Sequence, residues 1–121
     1  MSESEEKYLK TVFTLEKDHD EVRSIDVACT LGYSRASVCR AMKILKENEY
    51  ITMDSYGRIS LTQVGFIKAK SIYERESIIS EFLKQTLAID DELSAKYSAY
   101  VAHIIEPDTL NKIKNEMKTA I

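Results

Sequence analysis

Basic residues recur in the middle of the chain at a spacing that suits contact with nucleic acid. Arg40 and Lys43 fall on one face of a predicted helix, Arg35 lies at its start, and Ala36 shares the exposed face. An arginine can donate two parallel hydrogen bonds to O6 and N7 of guanine, and both residue types can neutralise phosphate. The pattern therefore predicts that this helix enters a DNA major groove.

The segment around this helix has the pattern of a helix–turn–helix. Gly32 can take the left-handed conformation that ends a first helix, and Ser34 can cap the second helix. We also expect Ser24 to cap the first helix. Apolar residues on the second helix repeat at the spacing of one buried face, namely Val38, Ala41, Met42 and Leu45. One face is thus predicted to enter a core while the basic face stays available.

A short β-hairpin is predicted directly after these helices. Residues 50–53 and 58–61 alternate apolar and polar side chains, which is the period of a half-buried strand, and residues 54–57 have turn chemistry. Such a hairpin beside a helix–turn–helix is a wing. Tyr56 and Arg58 at its tip are predicted to reach sugar or phosphate. The alternative is a hairpin that only covers the end of the helical core.

Helices account for the rest of the chain. The first is predicted over about residues 5–17, and later ones begin after Thr62, after Asp90 or Asp91, and near Pro107. We therefore predict a mainly α fold with a small β-wing. Its winged helix–turn–helix domain spans residues 1–62, and an all-helical dimerisation region spans residues 63–121.

The N-terminal domain is too small to cover the apolar faces of the later helices. Self-association is the economical way to bury them, although a compact helical monomer is an alternative. A two-fold homodimer would place two recognition helices one DNA turn apart. The predicted partner is therefore double-stranded DNA with a palindromic operator.

Composition limits the other function classes. The net charge is −3, with 17 basic and 20 acidic residues, so we expect few phosphate contacts and DNA binding that salt weakens sharply. No segment is long and apolar enough for a membrane span, and the acidic N-terminus is unlike a signal peptide, which predicts a cytoplasmic protein. Cys29 and Cys39 lack metal-site spacing and are expected to fill small packing positions as free thiols; a redox switch between them is the alternative.

No enzyme signature is visible in the sequence. It has neither a glycine-rich phosphate loop nor a nucleophile–base pattern, and it contains only three glycines. We therefore predict that the chain is not an enzyme. The main rival to a DNA-binding regulator is a protein-interaction module whose winged helix no longer binds DNA, and the acidic first helix favours that rival.

Several segments in order resemble the metal-dependent iron and manganese repressors of the diphtheria-toxin-repressor and manganese-repressor type. They are residues 6–15, 22–28, 31–38, 50–51, the wing, 61–65, 81–83 and 103–105. The resemblance covers nearly the whole chain and implies a homodimeric winged-helix repressor whose C-terminal helices dimerise and bind Mn²⁺ or Fe²⁺. The chain is similar to the short form without an SH3-like domain.

The resemblance also implies which residues contact DNA. The family's base-contacting positions fall early on the recognition helix, here on Ser34, Ala36, Ser37 and Arg40. Arg40 is the residue that could discriminate guanine, by about 1–3 kcal/mol. Ser34 and Ser37 are expected to bind phosphate while they cap the helix.

Most of the metal-ligand positions that the resemblance implies hold unsuitable residues; only His103 is retained, and Glu76 replaces a histidine. The implied positions fall on Lys7, Lys10, Glu76, Ser80, Ala95 or Ala99, Ala102 and His103. Lysine is an ammonium at neutral pH and offers no lone pair, although its charge could stand in for that of the metal. We predict that the family's metal site is largely lost. The alternative is a rebuilt Mn²⁺ or Fe²⁺ site that uses His103 with Glu76 and Glu106, in a metal-responsive repressor.

Overall fold

The computed structural model describes residues 1–119 and confirms a mainly α fold with a β-wing. Within those residues there are six helices and one two-stranded antiparallel sheet. In chain order the elements are α1 (Glu3–Asp18), α2 (Ser24–Leu31), α3 (Arg35–Glu47), β1 (Ile51–Met53), β2 (Ile59–Leu61), α4 (Gln63–Leu87), α5 (Asp91–Ile104) and α6 (Pro107–Thr119).

Helix α1 begins earlier than predicted because Ser2 caps it. The Ser2 hydroxyl accepts the backbone N–H of Glu5 at 3.1 Å, and acidic residues fill the first turn, where they complement the helix dipole. The apolar side chains of α1 form a buried face that packs in the N-terminal core, and they are Tyr8, Leu9, Val12 and Phe13.

Helix α2 is capped differently from the prediction. Ser24 is its first helical residue, so the prediction that Ser24 caps the helix was wrong. The carboxylate of Asp26 accepts the backbone N–H of Arg23 at 2.8 Å, and this charged acceptor takes over the role that was assigned to Ser24. At the other end Gly32 has φ of 70°, and its N–H donates to the carbonyl of Ala28 at 2.8 Å, as predicted.

Helix α3 follows the sequence pattern closely. The Ser34 hydroxyl accepts the backbone N–H of Ser37 at 3.2 Å, which confirms Ser34 as the cap. The predicted apolar face is buried throughout, and its members are Val38, Ala41, Met42 and Leu45. Because this face is fixed in the core, the opposite face of α3 is held toward solvent.

The wing consists of β1, β2 and the connecting loop over residues 54–58. Thr52 pairs with Ser60 in the antiparallel register, and each strand is slightly shorter than predicted. The segment before α2 adds to this sheet, because the N–H of Ile59 donates to the carbonyl of Val22 at 2.7 Å. The wing is therefore joined to the segment that leads into the helix–turn–helix.

The start of α4 fits tightly against the end of α3. The Thr62 hydroxyl donates to the carbonyl of Glu49 at 2.7 Å and accepts the N–H of Gly65 at 3.0 Å, so Thr62 caps α4 as predicted. A Cβ atom at Gly65 would lie 1.9 Å from the carbonyl oxygen of Tyr50. Only glycine fits this close backbone approach.

The chain divides into two compact units, Met1–Lys70 and Ser71–Ile121, with the division inside α4. The predicted boundary after residue 62 precedes this division. The first turns of α4 belong to the N-terminal unit, where the ring of Phe66 lies 5.6 Å from that of Phe13. The aromatic contact explains why these turns group with α1.

The second unit has a small apolar core of its own. Ile79, Ala102 and Leu110 are buried together, with Leu83 and Val101 packed against them. Asp90 caps α5 by accepting the N–H of Leu93, and α6 begins at Pro107, both as predicted. Four large side chains of α5 remain exposed and share one face, namely Leu93, Tyr97, Tyr100 and Ile104. None of the helices in residues 1–119 is apolar over a length that would cross a membrane.

Candidate nucleic-acid interface

The outer face of α3 presents the predicted DNA-contacting residues together. Arg35, Ala36, Arg40 and Lys43 are exposed, on the side of the helix opposite its buried apolar face. Within α3 the only carboxylate is that of Glu47 at its last residue. The first turns of this helix therefore offer positive charge and N–H donors, which suits an anionic groove.

Polar side chains at the start of α3 form a short hydrogen-bonded chain. The Ser34 hydroxyl donates to the Ser37 hydroxyl at 2.9 Å, and a guanidinium N–H of Arg40 donates to the same Ser37 oxygen at 3.4 Å. Arg40 is thereby held along the outer face of the helix. A side chain oriented in this way loses less conformational entropy when it binds a base.

Arg58 of the wing is bound to carboxylates on two sides. Its Nε donates to Asp54 at 2.5 Å, and an Nη atom donates to Glu21 at 3.2 Å. The guanidinium also lies 5.5 Å from the centroid of the Tyr56 ring. Glu21 in turn pairs with Arg23 at 3.1 Å. Arg58 is therefore part of an ion-pair network that spans the wing and the segment before α2.

Asp54 organises the wing loop through backbone and side-chain bonds. One of its carboxylate oxygens accepts the N–H groups of Tyr56 at 2.8 Å and Arg58 at 3.0 Å. These bonds, that of the Arg58 N–H foremost, hold the pKa of Asp54 below its ordinary value. The hydrogen bond to Asp54, with its charge, raises the pKa of Arg58. Both groups are therefore ionised at neutral pH.

Lys7 contacts the turn that precedes the recognition helix. Its Nζ donates to the hydroxyl of Tyr33 at 2.9 Å and lies 5.4 Å from the centroid of that ring. The rings of Tyr8 and Tyr33 make a T-shaped contact, with centroids 5.9 Å apart. Because Tyr33 lies between Gly32 and the cap of α3, these contacts tie α1 to the entry of the recognition helix.

The two cysteines lie outside the core, so the prediction that they fill packing positions was wrong. Cys29 and Cys39 are both exposed free thiols. Cys29 is on the solvent side of α2, and Cys39 is next to Arg40 on α3. The small core positions on these helices are taken instead by Ala28 and Ala41.

The contacts of Glu21 and Lys7 were not expected from the sequence. The sequence pattern indicates no contact for Glu21, and Lys7 falls at an implied metal-ligand position, where its charge could stand in for that of the metal. The pairing of Val22 with Ile59 explains the first contact, since it brings Glu21 beside the wing. The alternation of Glu21, Val22 and Arg23 is a weak signal for such an edge strand.

Comparison with known proteins identifies the N-terminal part of the chain. Residues 1–59 match the family described as iron dependent repressor, N-terminal DNA binding domain. Over this range the chain is similar to the DNA-binding domain of iron-dependent repressors. The matched range ends within the wing, so it contains α1, the helix–turn–helix and β1. The resemblance to metal-dependent repressors that the sequence indicated is thereby confirmed.

Relatives and solved structures extend the similarity over most of the chain. An uncharacterized HTH-type transcriptional regulator of Methanocaldococcus jannaschii is 25% identical over 94% of this chain and 92% of its own length. The transcriptional regulator MntR of Escherichia coli is 26% identical over 88% of this chain and 68% of its own length. The solved manganese regulator SloR shares the fold, with a TM-score of 0.85 at 20% identity. That match covers 94% of this chain and 53% of SloR, so the chain spans about half the length of this solved relative.

Most side chains at the metal-ligand positions implied by the resemblance are chemically poor ligands for a divalent metal. Mn²⁺ and Fe²⁺ need several carboxylate or imidazole ligands gathered at one point. Among residues 1–119 no group of three or more His, Cys, Asp or Glu side chains could hold such an ion. In the N-terminal unit, the Nζ of Lys7 donates a hydrogen bond to the hydroxyl of Tyr33. In the second unit His103 and Glu106 are exposed, and Ser80 and Ala102 offer no strong ligand.

Proposed function

We propose that this protein is a dimeric winged-helix transcriptional regulator that binds a palindromic site on double-stranded DNA. The observation that carries the proposal is the recognition helix. Its buried apolar face fixes α3 in the core, and its opposite face presents Arg35, Arg40 and Lys43 beside one another. The family match to a DNA-binding domain supports the same function.

Arg40 is the residue proposed to discriminate bases, with Ala36 beside it on the same face. The bond from Arg40 to Ser37 holds the guanidinium along the surface that would face the groove. Arg35, Lys43, Ser34 and the backbone N–H groups at the start of α3 are proposed to bind phosphate. Removal of Arg40 should cost about 1–3 kcal/mol on the preferred site.

Dimerisation is assigned to the second unit. The exposed face of α5 includes Tyr100, which is 54% exposed, and Ile104, which is 76% exposed. Apolar side chains of this size on one helix face are typical of a surface that a second copy covers. A two-fold axis through such an interface would present two recognition helices to one palindrome.

DNA binding is proposed to need neither Mn²⁺ nor Fe²⁺. Most side chains at the implied ligand positions are poor metal ligands, and the ammonium of Lys7 binds Tyr33 at the entry to α3. The positive charge of Lys7 is a permanent part of the chain, whereas the positive charge of a metal ion is present only while the ion is bound. Because solved relatives are named as manganese regulators, the metal requirement is the property to test.

Selection of bound fragments from random and genomic DNA tests the proposal. Parallel selections are run in EDTA and with added Mn²⁺ or Fe²⁺. A palindrome that is enriched equally in both arms is the expected result. Enrichment only with metal would refute the metal-independent part and would favour a rebuilt site that includes His103. No enrichment in either arm would favour the protein-interaction module.

Two substitutions on α3 then separate base contact from phosphate contact. Arg40→Ala should reduce affinity for the selected site and flatten the preference at one base pair of each half-site. Lys43→Ala is the matched control, since it removes one positive charge from the same face. It should weaken all sequences equally and lower the salt dependence of binding. Identical profiles for the two variants would contradict base discrimination by Arg40.

A further inference from the structure

We propose that the wing contacts DNA through the side chain of Tyr56, and that Arg58 positions this side chain instead of neutralising a phosphate. The inference rests on the proposed DNA-binding function and assigns roles within that site. Its first support is the engagement of Arg58, whose Nε binds Asp54 at 2.5 Å and whose Nη binds Glu21 at 3.2 Å. The guanidinium N–H groups that would bind a phosphate already donate to two carboxylates.

The charges around the wing balance locally. Arg58 and Arg23 face Glu21 and Asp54, which gives two positive and two negative groups in one hydrogen-bonded network. If the guanidinium of Arg58 moved to a phosphate, Asp54 would lose its ion-pair partner and Glu21 would keep only Arg23, both next to the DNA backbone. Repulsion between those carboxylates and the phosphates would offset the new contact. The wing can therefore approach the DNA backbone while its own charged groups remain paired and sum to zero.

Tyr56 has the position and the chemistry for such a contact. Its side chain lies at the loop tip and is 74% exposed, while its backbone N–H is held by Asp54 at 2.8 Å. The ring stacks 5.5 Å from the Arg58 guanidinium, which restricts its orientation. A tyrosine held in this way can pack its ring on deoxyribose and donate its hydroxyl to a phosphate oxygen without adding charge.

The loop that holds Tyr56 is fixed before any ligand binds. The Gly57 N–H donates to the Asp54 carbonyl and the Asp54 N–H donates to the Arg58 carbonyl, each at 3.1 Å. Gly57 adopts φ of 80°, which closes the turn. Since the backbone is already ordered, binding through this loop loses little conformational entropy. Arg58 and Glu21 are thus positioning residues, and Tyr56 is the contact.

The salt dependence of DNA affinity distinguishes the two roles. Each phosphate neutralised by a basic side chain adds about 0.9 to the slope of log K against log salt concentration. The double substitution E21Q/R58Q removes one charge of each sign, so the net charge stays unchanged. We expect its slope to equal that of the parent. Y56A should weaken binding about tenfold at every salt concentration, also without a change of slope.

Three comparisons complete the test on the DNA fragment that the parent selects. Ser55→Ala, which alters the exposed neighbour of Tyr56, should leave the affinity unchanged. Lys43→Gln should lower the slope and shows that the assay detects a lost phosphate contact. Urea unfolding midpoints of all variants establish that differences in affinity do not come from loss of the fold.

Two results would overturn the inference. A slope that falls by about 0.9 per lost contact in E21Q/R58Q would make Arg58 a phosphate contact. Parental affinity in Y56A would remove Tyr56 from the interface. If the parent itself selects no DNA, the proposed function fails and the inference falls with it. If the parent binds its selected DNA but E21Q/R58Q or Y56A gives one of these two results, only the inference fails.

Discussion

The Nζ atom of Lys7 donates a hydrogen bond to the hydroxyl of Tyr33 at 2.9 Å, so α1 is tied to the turn that leads into the recognition helix. The ring of Tyr33 also makes a T-shaped contact with that of Tyr8. Two kinds of contact therefore hold the same turn, one polar and one aromatic. The orientation of α3 depends on this turn, because Ser34 follows it directly as the helix cap.

We predict that Tyr33→Phe and Tyr33→Ala separate these two contacts. Tyr33→Phe removes the acceptor for Lys7 but keeps the ring against Tyr8, so it should cost about 0.5–1.5 kcal/mol of unfolding free energy. Tyr33→Ala also loses the aromatic contact and should cost at least about 1 kcal/mol more. Urea unfolding measures both values. Equal stability of Tyr33→Phe and the parent would show that the hydrogen bond contributes nothing.

The helix–turn–helix was predictable because its signals are local. Gly32, Ser34 and the apolar repeat of α3 act within one or two helical turns, and each has the expected role in the structure. The same local signals led to a wrong prediction for the cap of α2, because serine and aspartate both favour a helix start and Ser24 and Asp26 both lie there. A charged acceptor two residues further along replaced the hydroxyl.

The wing network could not be predicted from the sequence, because it depends on residues far apart in the chain. Arg58 and Glu21 are 37 residues apart, and Lys7 and Tyr33 are 26 apart. Such contacts follow from strand register and side-chain rotamers, which single-sequence patterns do not encode. The resemblance to a family indicated which positions could contact DNA or bind a metal. It did not indicate which partner each side chain has here.

Gly65 provides a test of the junction between α3 and α4. We predict that Gly65→Ala destabilises the protein by about 1–3 kcal/mol or more, because the new Cβ would meet the Tyr50 carbonyl oxygen 1.9 Å away. Val64→Ala is the control, since Val64 is 61% exposed and lies next to Gly65 on the same turn. Thermal unfolding of both variants measures the difference. Stability gained by Gly65→Ala, as helix propensity alone would give, would contradict the close approach.

The exposed face of α5 makes a prediction about self-association. Ile104→Glu places a charge at a side chain that is 76% exposed, so it should leave the fold intact while it disrupts an apolar interface. Ala95→Glu adds the same charge on the same helix, outside the apolar face. Analytical ultracentrifugation should give a dimer for the parent and for Ala95→Glu, and a monomer for Ile104→Glu. A monomeric parent would refute dimerisation through this face.

Acid should loosen the wing loop at a pH below the ordinary pKa of aspartate. Hydrogen bonds from the Arg58 and Tyr56 N–H groups to Asp54 lower its pKa in the folded state. A group with a lowered folded pKa contributes stability above its unfolded pKa and loses it as pH falls through the folded value. The amide NMR signals of Tyr56 and Arg58 should therefore shift together with a midpoint below the ordinary aspartate pKa. In Asp54→Asn, which cannot ionise, that transition should vanish, and a midpoint at the ordinary value in the parent would contradict the role of these bonds.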